Sequence, residues 1–248
     1  MYMDNLIKSG ETLDDLQNGY YIIQKKKAFR FGVDAVLLSD FAKIKKTDSV
    51  LELGTGTGVI SILLYAKKKP KSITAIDISE EMIEMARRSI KYNNLTDSIK
   101  LFNMDLREAS DLLGRGKYNS VVINPPYIKA DSGIISLDEG QAFARFEINC
   151  TLNDVINASF ELLIPGGKLN MVHRTDRLVD ILFLMRNKGL EPKRIKFIHS
   201  SPSKRPHLLL IEGVKGGKPD LKFLDPLYIY DKDGNYTEEI FNIYGRIK

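Results

Sequence analysis

The chain lacks the cysteines and the histidine spacing that a disulfide framework or a metal site needs. Cys150 is the single cysteine among 248 residues, which excludes an intramolecular disulfide and a cysteine-rich metal site. The three histidines, His173, His199 and His207, do not show the spacing of metal ligands, and we expect no bound metal. This composition is typical of a protein in the reducing cytoplasm.

Long apolar runs are also missing. The longest, at residues 59–65, is far shorter than the roughly 20 residues that span a bilayer. Residues 1–10 do not show the basic and then apolar pattern of a signal peptide. We therefore expect neither a membrane span nor contact with a membrane. The net charge of +5 fits a polyanionic partner but does not identify one, because many basic proteins bind no nucleic acid.

Short apolar runs alternate with amphipathic segments from Asp48 onward. Strands alternating with helices favour one mostly parallel sheet with helices on both faces, and such α/β sheets bind ligands at the carboxyl ends of their strands. The helix before Pro165 is expected to end at a turn formed by Pro165, Gly166 and Gly167. The predicted strands are residues 49–53, 72–77, 99–103, 120–124, 168–172, 195–199 and 208–212, and the predicted helices are residues 58–66, 80–93, 150–163 and 177–188.

The chain divides into three parts around this pattern. Residues 1–47 precede the first core strand, and we expect them to form a cap over the ligand cleft. Residues 48–213 are expected to form the core. Residues 214–248 are expected to form a partly mobile tail, with a strand-like segment at residues 227–230 and a turn at residues 231–234.

A glycine-rich turn follows the first predicted strand. Gly54, Gly56 and Gly58 have the spacing G-x-G-x-G, and glycines at such a turn let the backbone approach a ligand closely. The dinucleotide fingerprint is G-x-G-x-x-G instead. Glu52, just before the first glycine, would also repel a pyrophosphate, which argues against an NAD-dependent oxidoreductase. A carboxylate there suits a ligand with a positive centre and an amino group, a description that S-adenosylmethionine meets.

Two further carboxylates follow the next two predicted strands. Asp77 is placed to accept hydrogen bonds from both hydroxyls of a ribose, and Asp105 is placed to hold an adenine amino group. Each of them, taken alone, is equally interpreted as a surface or helix-capping carboxylate. Together with the glycine turn they favour a nucleoside cofactor.

The fourth predicted strand ends in Asn124-Pro125-Pro126-Tyr127. Two prolines fix φ and remove two backbone donors, leaving a rigid turn that presents carbonyl oxygens, an amide and an aromatic ring. An amino group on an aromatic ring is a poor nucleophile because its lone pair is delocalised. The Asn124 side-chain oxygen and the Pro125 carbonyl can each accept one of its N–H groups and direct the lone pair at a methyl group, while Tyr127 stacks on the base. An ordinary proline turn, with Tyr127 as packing, is the alternative interpretation.

These features together resemble a known enzyme class. The glycine turn, Asp77 and the Asn-Pro-Pro-Tyr tetrad are similar to those of amino-methyltransferases with a Rossmann-like seven-stranded sheet, mostly parallel with the last strand antiparallel and helices on both faces. Residues 29–38 (FRFGVDAVLL) and 144–147 (ARFE) resemble, more narrowly, the bacterial tRNA1(Val) adenine-37 N6-methyltransferase family. The resemblance covers residues 24–212. It implies S-adenosylmethionine as cofactor and an adenine N6 in tRNA as acceptor.

The resemblance also implies roles for individual residues. Arg145 and Glu147 are expected to contact RNA or to organise the loop after the tetrad, and Phe146 departs from the tyrosine or histidine of the family pattern. The alternative interpretation of Arg30 and Asp34 is an ion pair on the protein surface. The implied acceptor residues are Asn124, Pro125, Pro126 and Tyr127; the implied cofactor residues are Glu52, Gly54, Gly56, Asp77, Ile78, Asp105, Leu106 and Asn124, with Arg30, Gly32 and Asp34 closing over the methionine end.

An RNA substrate requires a phosphate-binding surface. Unpaired loop bases beside an anticodon can be splayed out at low cost, so such a surface need only hold the backbone around the target base. Any single lysine is more simply a solvated surface charge, and only clusters are informative. The candidate clusters are Lys25, Lys26 and Lys27; Lys193, Arg194, Lys196, Lys204 and Arg205; and Lys215 and Lys218, together with Arg145.

Three other functions remain open from the sequence. Glutamine N5-methylation of a release factor uses the same tetrad, although enzymes of that kind usually carry a helical N-terminal domain and only 47 residues precede the first strand here. Guanine N2-methylation of ribosomal RNA is a second. An RNA-binding assembly factor with a vestigial cofactor pocket is the third, and the intact Glu52, Gly54, Asp77 and Asn124 argue against it.

Overall fold

The computed structural model describes residues 6–17, 19–26, 32–125 and 150–245 of the chain. Among the described residues, no helix is both long and apolar enough to cross a membrane. The strands are β1 (Glu11–Gln17), β2 (Tyr20–Lys25), β3 (Ser49–Leu53), β4 (Ser72–Asp77), β5 (Ile99–Asn103), β6 (Tyr118–Ile123), β7 (Leu163–Arg174), β8 (Leu190–His199), β9 (Pro206–Lys215), β10 (Lys222–Phe223) and β11 (Leu227–Tyr228). The helices are α1 (Val33–Phe41), α2 (Val59–Lys68), α3 (Glu80–Tyr92), α4 (Ala109–Leu113), α5 (Leu152–Leu162), α6 (Leu178–Lys188) and α7 (Glu238–Tyr244), with a short 3₁₀ helix at Thr175–Arg177.

The main sheet has the predicted topology. Its strands run in the order β10-β8-β9-β7-β6-β3-β4-β5, and β11 also pairs with β8. Strands β5, β4, β3, β6 and β7 are parallel to their neighbours in this order. β9 is antiparallel to both β7 and β8. The Rossmann-like sheet of seven strands with an antiparallel last strand is therefore confirmed, and the two-residue strands β10 and β11 extend it beyond β8.

Helices cover both faces of the sheet because the central strands are apolar on both sides. One buried cluster joins α1, α2 and α3 to the sheet through side chains such as Leu37, Ile62 and Ile90. The other joins α4, α5 and α6 through side chains such as Val155 and Ile181. Local signals set the helix ends: Thr151 and Asp154 form a reciprocal capping box at the start of α5, and α6 ends at Gly189.

The segment before β3 differs from the predicted cap. Strands β1 and β2 form an antiparallel hairpin that packs on α3, where Asn93 Oδ1 accepts the Tyr21 N–H at 2.8 Å and Ser89 Oγ accepts the Ile23 N–H at 3.1 Å. Helix α1 belongs to the core, since Leu37 and Leu38 are fully buried. Coverage of the cleft by residues 27–31 stays a prediction, because these residues lie outside the described ranges.

One local expectation, the helix end at Pro165, is wrong. Pro165, Gly166 and Gly167 do not separate helix from strand; β7 begins at Leu163 and carries them as an irregularity, with Tyr118 paired to Leu163 and Ser120 to Lys168. Residues 164–167 have no partner in β6, and Gly166 has a φ of +77°, so the turn lies within β7 rather than before it. In the tail, Ile229 and Ile240 are buried and α7 packs against α1; its partial mobility stays a prediction.

Candidate active site

Strand register brings the predicted site residues into one row. Leu53 pairs with Ile76 on one side and with Ile123 on the other. The next residues, Gly54, Asp77 and Asn124, therefore leave three adjacent parallel strands at the same level. With neighbouring strands about 4.8 Å apart, the whole row spans roughly 10 Å at the carboxyl edge of the sheet.

The glycine turn leaves open space above this row. Gly54 and Gly56 adopt φ values of +66° and +53°, in the left-handed region that side chains other than glycine resist. A Cβ added at either position would meet no atom within 4 Å. Asp77 Oδ2 fixes the turn by accepting the Gly56 N–H at 2.8 Å. The turn thus offers backbone, without side chains, to a ligand lying over it.

The Asp77 carboxylate can accept two more hydrogen bonds. Its Oδ1 accepts the Ser79 N–H at 2.9 Å and its Oδ2 accepts that of Gly56, so each oxygen keeps a second lone pair for a ribose hydroxyl. Burial raises the pKa of Asp77 above its ordinary value. Ile78, the next residue, is 63% exposed and is available to contact a ligand at this edge.

Asn103 supports this carboxylate and was missed from the sequence. Its Nδ2 donates to the backbone oxygens of Asp77 and Ile78, at 2.9 and 3.0 Å, and so fixes the end of β4. The only signal was its position at the end of the next strand, level with Asp77.

Glu52 lies beneath the turn rather than in the cleft. Its side chain is fully buried, and its Oε2 accepts the Thr55 hydroxyl at 2.8 Å and also that of Ser61. The carboxyl group fastens the glycine turn to α2, and contact of Glu52 with the cofactor stays a prediction. Its Oε1 has no hydrogen-bond partner among the described residues. Burial raises the pKa of Glu52 to about 7, and the charge of Asp77 adds to the rise.

We expect Glu52→Gln to stabilise the ligand-free protein increasingly as the pH rises. A folded-state pKa of about 7, against 4.5 in the unfolded chain, gives stability that is complete below pH 4.5 and is lost as the pH passes through 7. A shift of this size corresponds to about 3 kcal/mol. Urea unfolding of both proteins at pH 5, 6, 7 and 8 measures the difference in free energy of unfolding between them.

His173 also makes the stability depend on pH, in the opposite direction, but its contribution cancels in the difference between wild type and Glu52→Gln. Burial lowers the pKa of His173 to about 4, so this residue adds stability as the pH rises from 4 towards 6.5 in both proteins alike. A difference between wild type and Glu52→Gln that does not change with pH would contradict the buried, protonated state of Glu52.

Asp105 is engaged by a neighbour. Its Oδ1 accepts the Arg107 N–H at 2.9 Å, its Oδ2 accepts Arg107 Nε at 3.0 Å, and this arginine holds the pKa of Asp105 below its usual range. Leu106 is buried. The pair lies at the site edge, since Met104 N–H donates to the Asp77 carbonyl at 3.1 Å. Contact of Asp105 with an adenine amino group stays a prediction.

Of the remaining cofactor and acceptor residues, those that the structure describes lie around the same edge. Asn124 is half-buried and Pro125 is buried directly after β6. The end of α1 lies beside the end of α2, where Lys67 Nζ is 3.9 Å from Asp40 Oδ1. Since α2 runs from the carboxyl edge to the amino edge, the start of α1, with Gly32 and the buried Asp34, lies towards the carboxyl edge. Arg30, Pro126 and Tyr127 lie outside the described residues.

The basic residues predicted to contact RNA differ in exposure and in their bonds within the protein. Lys26, Lys204, Arg205 and Lys218 are exposed. Three other cluster members are engaged within the protein, and their contact with RNA stays a prediction. Arg194 is 11% exposed, bonds Glu212 at 2.8 Å and stacks on Phe41 at 4.4 Å. Lys215 Nζ donates to the carbonyls of residues 160 and 163, and Lys196 pairs with Glu239.

The other members of those clusters are partly engaged. Lys25 forms an ion pair with Glu81, and Lys193 Nζ donates to the Lys218 carbonyl at 2.7 Å. Lys27, Arg145, Phe146 and Glu147 lie outside the described residues. Of the four exposed candidates, only Lys204 and Arg205 are adjacent, and they lie in the loop before β9.

Comparisons with known proteins point to methyltransferases. The model of the methyltransferase small domain matches residues 32–185. A tRNA1(Val) (adenine(37)-N6)-methyltransferase of Porphyromonas gingivalis is 30% identical over 220 residues, covering 86% of this chain and 86% of that protein.

Solved structures share the fold. A predicted O-methyltransferase from Agrobacterium tumefaciens matches with a TM-score of 0.68 at 22% identity, over 86% of this chain and 95% of that one. The Methanocaldococcus jannaschii TYW2 in complex with AdoMet matches with a TM-score of 0.57 at 15% identity, over 84% of this chain and 86% of that one. At such identities these structures establish the shared fold alone.

Proposed function

The chain belongs to the methyltransferase small domain family and to the tRNA1(Val) (adenine(37)-N6)-methyltransferases, and from this we propose that it methylates N6 of an adenine in tRNA, at position 37 beside the anticodon of tRNA1(Val). The methyl donor is S-adenosylmethionine. A tRNA substrate implies action in the cytoplasm.

One observation carries the proposal: Asn124 leaves β6 at the level where Gly54 leaves β3, one strand away. A donor lying over the glycine turn, with its ribose on Asp77, has its reactive end beside Asn124. The open space at Gly54 and Gly56, the two free lone pairs of Asp77 and the exposed Ile78 fit a nucleoside of this kind.

The residues at the turn activate and aim the amine. Asn124 Oδ1 and the Pro125 carbonyl each accept one N–H of the exocyclic amino group, which localises the nitrogen lone pair and directs it at the methyl carbon. When bound, S-adenosylmethionine supplies an electrophilic methyl group with a thioether as leaving group. Held by Asn124 and Pro125, the amine would take the methyl group from sulfur and release one proton to water, so no strong general base would be required.

Methyl transfer from labelled S-adenosylmethionine to total tRNA, total ribosomal RNA and a release factor, followed by nucleoside analysis, tests the proposal. We expect N6-methyladenosine in tRNA, and a tRNA1(Val) transcript with adenine 37 replaced should take up no label. Label in the release factor would indicate glutamine methylation, and N2-methylguanosine in ribosomal RNA would indicate the other enzyme. Either result would overturn the proposal.

A further inference from the structure

The loop of residues 200–205, between β8 and β9, lies at the same edge of the sheet as the active site. Both β7 and β8 are antiparallel to β9, so β8 is parallel to β7 and ends at the carboxyl edge. Lys204 and Arg205 are exposed in this loop. They are thus presented on the side of the molecule where Asn124 and Asp77 lie.

Hydrogen bonds hold this loop in place. His199 Nδ1 lies 2.8 Å from the Lys204 carbonyl oxygen, and the Lys204 N–H donates to the Ser201 carbonyl at 3.1 Å. The Tyr230 N–H donates to the Ser200 carbonyl at 2.9 Å. The two cations are therefore presented by an ordered backbone, which lowers the entropy that binding would cost.

The end of β7 adds two arginines beside the loop. Arg174 and Arg177 are 25% and 36% exposed at the side chain, and the Thr175 hydroxyl between them donates to the Pro206 carbonyl at 3.0 Å. That bond joins the end of β7 to the start of β9. We call Arg174, Arg177, Lys204 and Arg205 the cationic edge.

Fold stability does not explain these charges. Arg177 is the N-cap residue of α6, and a cation at a helix N-terminus is unfavourable. Asp176 and Asp180 offset two of the four charges by pairing with the arginines. Lys204 and Arg205 form no ion pair with any acidic residue in the described ranges. By contrast, Lys67 and Lys68 lie in the last turn of α2, where the helix dipole favours them.

The cationic edge lies within one to three strands of the acceptor turn. Ile123 pairs with Met171, so Arg174 is one strand across from Asn124 and two residues further along, about 8 Å away by strand geometry. Arg174 pairs in turn with Leu208, just after the loop. A backbone phosphate next to a base held at Asn124 therefore falls within reach of these side chains.

We infer that the cationic edge binds the phosphates of the RNA strand flanking the methylated adenine. The inference rests on the proposed methyl transfer and specifies which surface holds the substrate. It excludes the buried Arg194 and the carbonyl-bonded Lys215 from that surface.

The test compares Lys204→Ala/Arg205→Ala with Lys45→Ala/Lys46→Ala. Lys45 and Lys46 form a matched exposed pair at the opposite edge, just before β3. Binding of tRNA by fluorescence anisotropy, from 50 to 200 mM salt, gives the slope of log Kd against log salt without any need for methylation. Each phosphate contact to a single strand contributes about 0.7 to that slope, so we expect the Lys204/Arg205 variant to lose about 1.4 and to bind about tenfold more weakly.

The control variant should keep the wild-type slope, and both variants should keep the wild-type Kd for S-adenosylmethionine. A wild-type slope in the Lys204/Arg205 variant, or an equal loss in both variants, would overturn the inference. If the wild type binds tRNA and the Lys204/Arg205 variant loses the expected part of the salt slope, but the wild type transfers no methyl group, the proposed function fails. The cationic edge then stands as an RNA-binding surface. If the wild type does not bind tRNA, both fail.

Discussion

Asn124→Ala should lower kcat for tRNA methylation by about 100- to 1,000-fold while leaving the affinity for S-adenosylmethionine nearly unchanged. Removing one preorganised polar group that acts on the reacting centre typically costs this much. Asn124 is half-buried directly after β6, one strand from the glycine turn, and its proposed role is to accept a hydrogen bond from the acceptor amine. Single-turnover methylation and calorimetric titration of the cofactor measure the two quantities separately.

Asn119→Ala provides the control for that result. Asn119 lies on the same strand at its opposite end, where its Oδ1 accepts the Ser49 N–H at 2.9 Å. Its loss should lower stability slightly and leave methylation near wild type. Loss of cofactor binding together with activity in Asn124→Ala would remove the acceptor role assigned to Asn124.

Asp77→Ala should instead weaken the binding of S-adenosylmethionine by about 100-fold. Two hydrogen bonds from ribose hydroxyls to a charged acceptor contribute roughly 1.5 kcal/mol each. The variant also releases the Gly56 and Ser79 N–H groups, so the glycine turn loses its anchor. At saturating cofactor we expect kcat to fall much less than in Asn124→Ala.

A matched surface variant separates binding from stability in this case. Asp97 is exposed in the loop before β5, at the opposite edge, and Asp97→Ala should bind the cofactor as the wild type does. Thermal unfolding of the ligand-free proteins reports any loss of stability on its own. An unchanged Kd for the cofactor in Asp77→Ala would refute the ribose-binding role of Asp77.

The sequence predicts the parallel core well because its signals there are local. Strands β3, β4 and β5 fall on the predicted residues, since each is a short apolar run that ends at a turn or a polar residue. The row of Gly54, Asp77 and Asn124 follows from the rule that ligands bind at carboxyl strand ends, and it needs no knowledge of packing.

Non-local contacts account for what the sequence did not predict. Glu52 was recognised as a charge, but its burial under the turn depends on Ser61, nine residues further along the chain. Arg194 belongs to a predicted basic cluster, yet its guanidinium meets Glu212 on the neighbouring strand and Phe41 from α1. The sequence alone marks the tail by its Lys/Gly/Pro-rich stretch, whereas the burial of Ile240 in the tail depends on packing against distant elements.

The position of β9 has a consequence for how the chain is made. β9 lies between β7 and β8 in space, although it follows both in sequence. During synthesis from the N-terminus, β8 therefore has no place in the sheet until β9 has left the ribosome, and the outer edge of β7 stays unpaired over the same interval. An unpaired strand edge readily pairs with other chains. The nascent protein is thus most exposed to aggregation between the completion of β7 and the arrival of β9, long after its cofactor half has formed.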